Sequence, residues 1–289
     1  MKDPAMTNTI LALVDGSIYS KSVCDHAAWA AERMGAGVEL MHVLDRLGGA
    51  ENSDLSGSIA LGARSALLDK LSALDEQRSK LLSQKGRAIL DDAREIIETA
   101  GQSVTAAHLR QGELIETVQA QENRAAMIMI GKRGEEADFA SLRLGSHLES
   151  LVRASHRPVF VASRAFKPID RAIIAYDGGA SSQRVVDHVA RNPLFANLAI
   201  EVITVGQKNR ETEKGLENAS AILNGAGLEV ETKILAGQPD EVLGARVEEA
   251  GASIVVMGAY GHSRIRSFVI GSTTSEMLRS CKAPVLLMR

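Results

Sequence analysis

The sequence predicts an α/β fold made of two repeated, doubly wound, mostly parallel five-stranded sheets with helices on both faces. Three observations carry that reading. One unit occurs twice along the 289 residues. Its strands are short apolar runs without polar alternation, as parallel strands buried on both faces are. Amphipathic segments fall between those runs, and alternating β and α gives right-handed crossovers in a doubly wound sheet.

The repeat can be followed landmark by landmark. Ile10-Leu-Ala-Leu-Val-Asp15-Gly-Ser recurs as Ala172-Ile-Ile-Ala-Tyr-Asp177-Gly-Gly. Val43 ends one apolar run and Val205 another, and the interval from the Asp is 28 residues in both copies. Ala100-Gly101 recurs as Ala226-Gly227, and Gly112 as Gly237, each ahead of a helical segment. Met127-Ile-Met-Ile-Gly131 recurs as Ile254-Val-Val-Met-Gly258, and Pro158-Val-Phe-Val as Pro284-Val-Leu-Leu. The first copy is therefore placed over residues 6–164 and the second over 168–289, joined by Arg164-Ala-Phe-Lys-Pro168. Helices are expected over Ser20–Met34, Ile115–Asn123 and Ser146–Ala154, with counterparts in the second copy.

The first copy carries about 36 extra residues within Asp45–Lys80. Leu61, Leu67, Leu68, Leu71, Leu74, Leu81 and Leu82 fall there at helical spacing between charged residues. One or two added helices are expected ahead of the helix that ends near Thr99, packed on their own domain. Asn52–Ser58 is rich in Gly and Ser and is expected to be a loop.

Chemistry concentrates near the C-terminus. Ser253–Met257 reads as a buried strand, and Gly258, Gly261, Gly271, Ser272 and Thr273 follow before an amphipathic segment and a last strand. A strand running into a glycine loop and then a helix N-terminus suits phosphate. Glycine lets the backbone approach closely, and the first amides of a helix lack partners and carry partial positive charge. Ser272, Thr273 and Thr274 add hydroxyl donors, and Arg264 and Arg266 add cationic charge. No Lys stands where a P-loop needs one, and G-x-G-x-x-G is missing from the first turn. The pattern present is G-x-x-G, nine residues, then G-S. With the final P-V-L-L strand, it closely resembles the ATP-binding signature of the universal stress protein family, and the resemblance covers nearly the whole chain outside the 45–80 insertion.

The resemblance implies an adenine-nucleotide site in the second copy. It places Asp177 at the ribose and base with Ala175 nearby, and Val205 at the adenine edge. Gly258, Gly261, Gly271, Ser272 and Thr273 fall at the ribose and phosphates, with Met257 as a wall. ATP or AMP is the implied ligand, with Mg²⁺ joining through phosphate oxygens. The first copy departs from this pattern. Ten residues separate Gly134 from Gly145-Ser146, His147 replaces a hydroxyl, and Glu135, Glu136 and Asp138 enter the loop. Carboxylates oppose phosphate binding, so Ser146 is expected to act as a helix cap only. Ser146–Glu149 and Thr273–Glu276 have capping-box spacing.

Composition narrows the alternatives. Apolar residues make up 45%, charged residues 24%, and the net charge is −3, so no nucleic-acid field is expected. Aromatic residues at 3% are too few for base-stacking platforms. No apolar run approaches a membrane span and no signal peptide is visible, so a cytoplasmic protein is expected. Cys24 and Cys281 match no metal spacing, and the seven His are scattered, which leaves metal binding by protein ligands without support. Three functions follow from different classes: a nucleotide-binding stress-response sensor or regulator, a slow ATP hydrolase on the same fold, and a nucleotide-free interaction scaffold. The hydrolase needs a base, and His262 is the titratable candidate in the loop. The apolar strands Val159–Ala162 and Val285–Met288 invite edge pairing. By the resemblance the two copies form a pseudo-dimer through them, with a homodimer also open.

Overall fold

In the computed structural model, residues 8–44, 61–134, 146–251, 253–259 and 272–289 are described, with the backbone alone for 61–69 and 146. The first half runs β1 (Thr9–Leu13), α1 (Ser20–Met34), β2 (Gly37–Leu44), α2 (Leu61–Thr99), β3 (Val104–Gln111), α3 (Leu114–Glu122), β4 (Met127–Gly131), α4 (Ser146–Ala154) and β5 (Val159–Ala162). The second half repeats it as β6 (Arg171–Ala175), α5 (Ala180–Arg191), β7 (Ala199–Val205), α6 (Arg210–Gly225), β8 (Val230–Leu235), α7 (Pro239–Ala250), β9 (Ser253–Gly258), α8 (Ser272–Ser280) and β10 (Val285–Met288). A 3-10 turn, Pro193–Phe195, lies between α5 and β7.

The two five-stranded halves join into one ten-stranded sheet, ordered β3-β2-β1-β4-β5-β10-β9-β6-β7-β8. Every pairing is parallel except the seam, where β5 and β10 run antiparallel with Phe160 opposite Leu286. These two strands are almost wholly apolar (VFVA and VLLM) and buried. Burying each such side chain stabilises by about 1.5–3 kcal/mol, which is why neither strand stands as a free edge. Arg33 of α1 reinforces the junction by donating to the carbonyls of Leu194 and Ala196.

Side chains alternate across the sheet. Ile10 and Ala12 join the core under α1, α2, α5 and α6, while Leu11 and Leu13 join the core that holds Leu148, Leu151, Met277 and Leu278 of α4 and α8. Both cores run through both halves. Local signals fix the helix ends. Gly35 adopts φ 58° after α1, and its amide meets the carbonyls of Ala31 and Glu32. Asn209 caps α6 by accepting from the amides of Glu211 and Thr212.

The insertion differs from expectation. Leu61–Thr99 is one continuous helix of 39 residues, without a break between an added helix and the one ending at Thr99. No Pro interrupts this stretch, and propagation adds a hydrogen bond per residue once a helix exists. Its apolar stripe also divides. Leu90, Ala93 and Ile97 are buried against the sheet, whereas Leu71, Leu74 and Leu81 are exposed. The N-terminal part therefore does not pack on its own domain through those leucines. The loop expected at 52–58 lies outside the described residues.

Candidate functional site

In the second half β6 lies between β9 and β7, so the strand order reverses beside it. In open parallel sheets, ligands sit beyond the strand carboxyl ends at such a reversal. The register brings the expected residues to that end. Ala175 pairs with Ile203, and Ile174 with Val256. Asp177 and Val205 each lie two residues past the first pair, and Gly258 two past Val256. The third strand ends beside them, since the Gly206 amide donates to the Leu235 carbonyl at 2.8 Å.

Asp177 is held in a defined turn. Its Oδ1 accepts from the Gly179 amide at 2.9 Å and from the Ser182 hydroxyl at 2.7 Å. The turn passes through Gly178 at φ +78°, a conformation that costs little only for glycine. Next to it, the Tyr176 amide donates to the Ile203 carbonyl at 2.8 Å and the Thr204 hydroxyl to the Tyr176 carbonyl at 2.8 Å. Burial, then the Asp177 charge, push the Tyr176 phenol upward.

Gly258 is required by packing. A Cβ there would lie 2.7 Å from the Ser181 Cβ, at the start of α5. Met257 is buried at 5% exposure, and Ala175 and Val205 are partly buried against the same core. Ser272 is exposed and Thr273 half-buried at the start of α8, and Gly261 and Gly271 lie outside the described residues. One reading of this segment changes. Thr274 is buried and its hydroxyl lies 3.4 Å from the carbonyls of Gly258 and Ala259, so it ties the helix to the strand and is not a ligand donor. Thr273 is the second residue of α8, and Glu276 pairs with Arg279 at 2.7 Å.

Ser182 and Ser181 were not singled out from the sequence. A signal for Ser182 existed in the repeat: Ser20 stands five residues after Asp15, and its hydroxyl donates to Asp15 Oδ1 at 3.0 Å.

The first half repeats the frame with a different filling. Gly131 meets Tyr19 as Gly258 meets Ser181, with a Cβ position 2.7 Å from the Tyr19 Cβ. Ile89 and Gly215 stand at equivalent positions, each 12 residues before the glycine that follows its helix. Ile89 Cδ1 reaches 2.8 Å from where a Cβ on Gly16 would stand, whereas a Cβ on Gly178 would have none of the described residues within 4 Å. A Cβ on Gly134 would be 3.0 Å from Asp15 Oδ2. The Asp-Gly turn is thus covered by Ile89 in the first half, and among the described residues no side chain takes that place in the second. Among the described residues, no group of three or more His, Cys, Asp or Glu could hold a metal ion. Among them, too, no helix is long and apolar enough to cross a membrane.

The model of the universal stress protein family matches residues 6–163 and 204–289. A universal stress protein of Synechocystis sp. is 35% identical over 285 residues, 97% of this chain and 99% of that protein. A universal stress protein of Methanocaldococcus jannaschii is 28% identical over 96 residues, 32% of this chain and 59% of that protein. The crystal structure of a universal stress protein from Archaeoglobus fulgidus has the same fold, with a TM-score of 0.73, 21% identity and 98% of each chain covered.

Proposed function

The chain belongs to the universal stress protein family, and from that premise we propose that its second copy, residues 168–289, binds one adenine nucleotide, ATP or AMP, and that the bound state acts as a stress-response sensor or regulator. The observation that carries this reading is the meeting of Asp177, Val205, Gly258 and the start of α8 at one end of the sheet, beside the reversal of strand order. On this reading Asp177 accepts from ribose or base, and the backbone at Val205 meets the adenine edge. Ala175 and Met257 wall the pocket. Gly258, Gly261, Gly271, Ser272 and Thr273 surround ribose and phosphates, where the unpartnered amides of a helix start favour an anion.

The covered turn under Ile89 supports one site per chain, as do the acidic residues of the first copy's loop. Mg²⁺, where it joins, is held by phosphate oxygens and water. The β5–β10 seam supports reading the two copies as a pseudo-dimer within one chain. Native mass spectrometry of freshly purified protein tests the proposal: one adenine nucleotide per chain is expected, intact and not rapidly consumed. A nucleotide-free chain that gains no mass with added ATP would contradict it.

A further inference from the structure

A second binding feature lies where the two copies meet. The carboxyl ends of β4 and β5 and the last turn of α8 enclose a cavity of about 220 Å³. Its wall carries Lys132, Arg133 and Arg164 from the first copy, Arg279 and Lys282 from the second, and no carboxylate among the described residues. Arg279 and Lys282 are already paired, with Glu276 and Glu248, each at 2.7 Å. The other three cations are not. Lys132 is only 7% exposed, and its Nζ donates to the Cys281 carbonyl just beyond α8. A cation suits the negative end of a helix, but a carbonyl does not neutralise an ammonium. Arg133 and Arg164 make no ion pair or hydrogen bond with the described residues. Burial lowers the Lys132 pKa, Cys281 opposes that shift, and the Arg133 charge adds to it. Arg133 is half-buried and Arg164 exposed, so an anion entering the cavity meets three positive charges that no described carboxylate neutralises.

We propose that this junction cavity is a separate anion site that takes a compact phosphate or pyrophosphate group. The chemistry fits: guanidinium groups hold phosphate oxygens by paired N–H donors, and the ammonium adds a point charge. The volume fits as well, because about 220 Å³ is below the roughly 300–1,000 Å³ of pockets that hold drug-sized ligands. The walls come from both copies, so an occupant clamps the seam. The inference does not depend on nucleotide binding in the second copy.

Inorganic pyrophosphate titrated into the full chain at low ionic strength tests it, read by calorimetry and by the rise in Tm. Binding is expected in wild type and in Gly271→Val, whose change lies in the proposed nucleotide loop and not among the residues that line the cavity. Arg133→Ala/Arg164→Ala should weaken it at least tenfold while leaving the ligand-free Tm and ATP binding unchanged. The Lys/Lys variant at the same two positions should retain most of the affinity. Absence of binding in wild type would overturn the proposal, as would equal affinity in the Ala/Ala variant or loss in Gly271→Val alone.

Discussion

Gly258→Ala is the substitution whose effect can be worked most directly from the structure. The new methyl carbon would stand 2.7 Å from the Ser181 Cβ, 3.4 Å from its carbonyl carbon and 3.6 Å from its Cα. Carbon atoms pack at about 3.5–4.0 Å, so β9 and the first turn of α5 must separate by about 1 Å. Ser181 Cβ is fixed to the helix backbone and cannot rotate away. Val185, Val186 and Val189 of α5 are fully buried against the sheet and resist the shift. Overpacking of this kind costs about 1–3 kcal/mol, and each kcal/mol lowers Tm by about 2–4 °C in a chain of 150–250 residues. The same shift moves α5 against the Asp177 turn, through Ser182, and should weaken ATP at least tenfold, about 1.4 kcal/mol. Gly131→Ala is the matched control: it meets the Tyr19 Cβ at 2.7 Å in the other copy. It should destabilise similarly and leave ATP affinity within about twofold of wild type. Differential scanning calorimetry and ATP titration of both variants decide the matter. An unchanged Tm in Gly258→Ala would refute the packing argument. Equal loss of ATP in both variants would refute the assignment to the second copy.

Further outcomes are expected. Ser272→Ala should weaken ATP by about 1 kcal/mol, because it removes one hydroxyl and leaves the helix amides; titration calorimetry reads this directly. Glu201 is buried in β7, where burial opposes its charge, but hydrogen bonds from Lys233 and Arg246, at 2.7 and 2.8 Å, outweigh burial and hold its carboxyl below the usual range. Glu201→Gln should therefore cost about 1–3 kcal/mol in urea unfolding. His26 is fully buried between Phe160 and Phe166, and burial lowers its pKa from 6.5 to about 4. The folded state then holds His26 neutral while the unfolded chain takes up a proton, so stability falls as pH drops below 6.5. The loss from this group reaches about 2 kcal/mol by pH 5. Unfolding of His26→Leu at pH 7 and pH 5 should show a drop smaller by that amount.

Much of this architecture was legible in the sequence because repetition supplied its own control. A lone Asp-Gly is any turn, but two of them followed at equal distance by Val43 and Val205 mark the same strand ends twice. The apolar strands Val159–Ala162 and Val285–Met288 signalled that their edges need cover, but that each would meet the other came only from the family resemblance. The continuity of α2 was not. Leucine spacing gives a helical period, but it does not say where one helix ends when no Pro stands at the junction. The exposure of Leu71, Leu74 and Leu81 was hidden for a related reason: an apolar stripe reports a helix face and says nothing about how far the sheet beneath it extends. The role of Thr274 could not be separated from those of Ser272 and Thr273, because three adjacent hydroxyls differ only in which way the helix turns them. The loop difference between the copies was legible, but the further contrast of Ile89 with Gly215 was not, because these residues lie in helices far along the chain from the Asp-Gly turns, one of which Ile89 covers.

On the proposed reading one copy of two binds nucleotide. Calorimetric titration of ligand-free wild type with ATP tests it most directly, with Gly271→Val and Gly145→Val alongside. A valine at position 271 places a β-branched side chain where, on the proposed reading, the backbone approaches phosphate. One ATP per chain is expected, with binding lost in Gly271→Val and kept in Gly145→Val. Two equivalent sites per chain, or binding that survives Gly271→Val and fails in Gly145→Val, would contradict it.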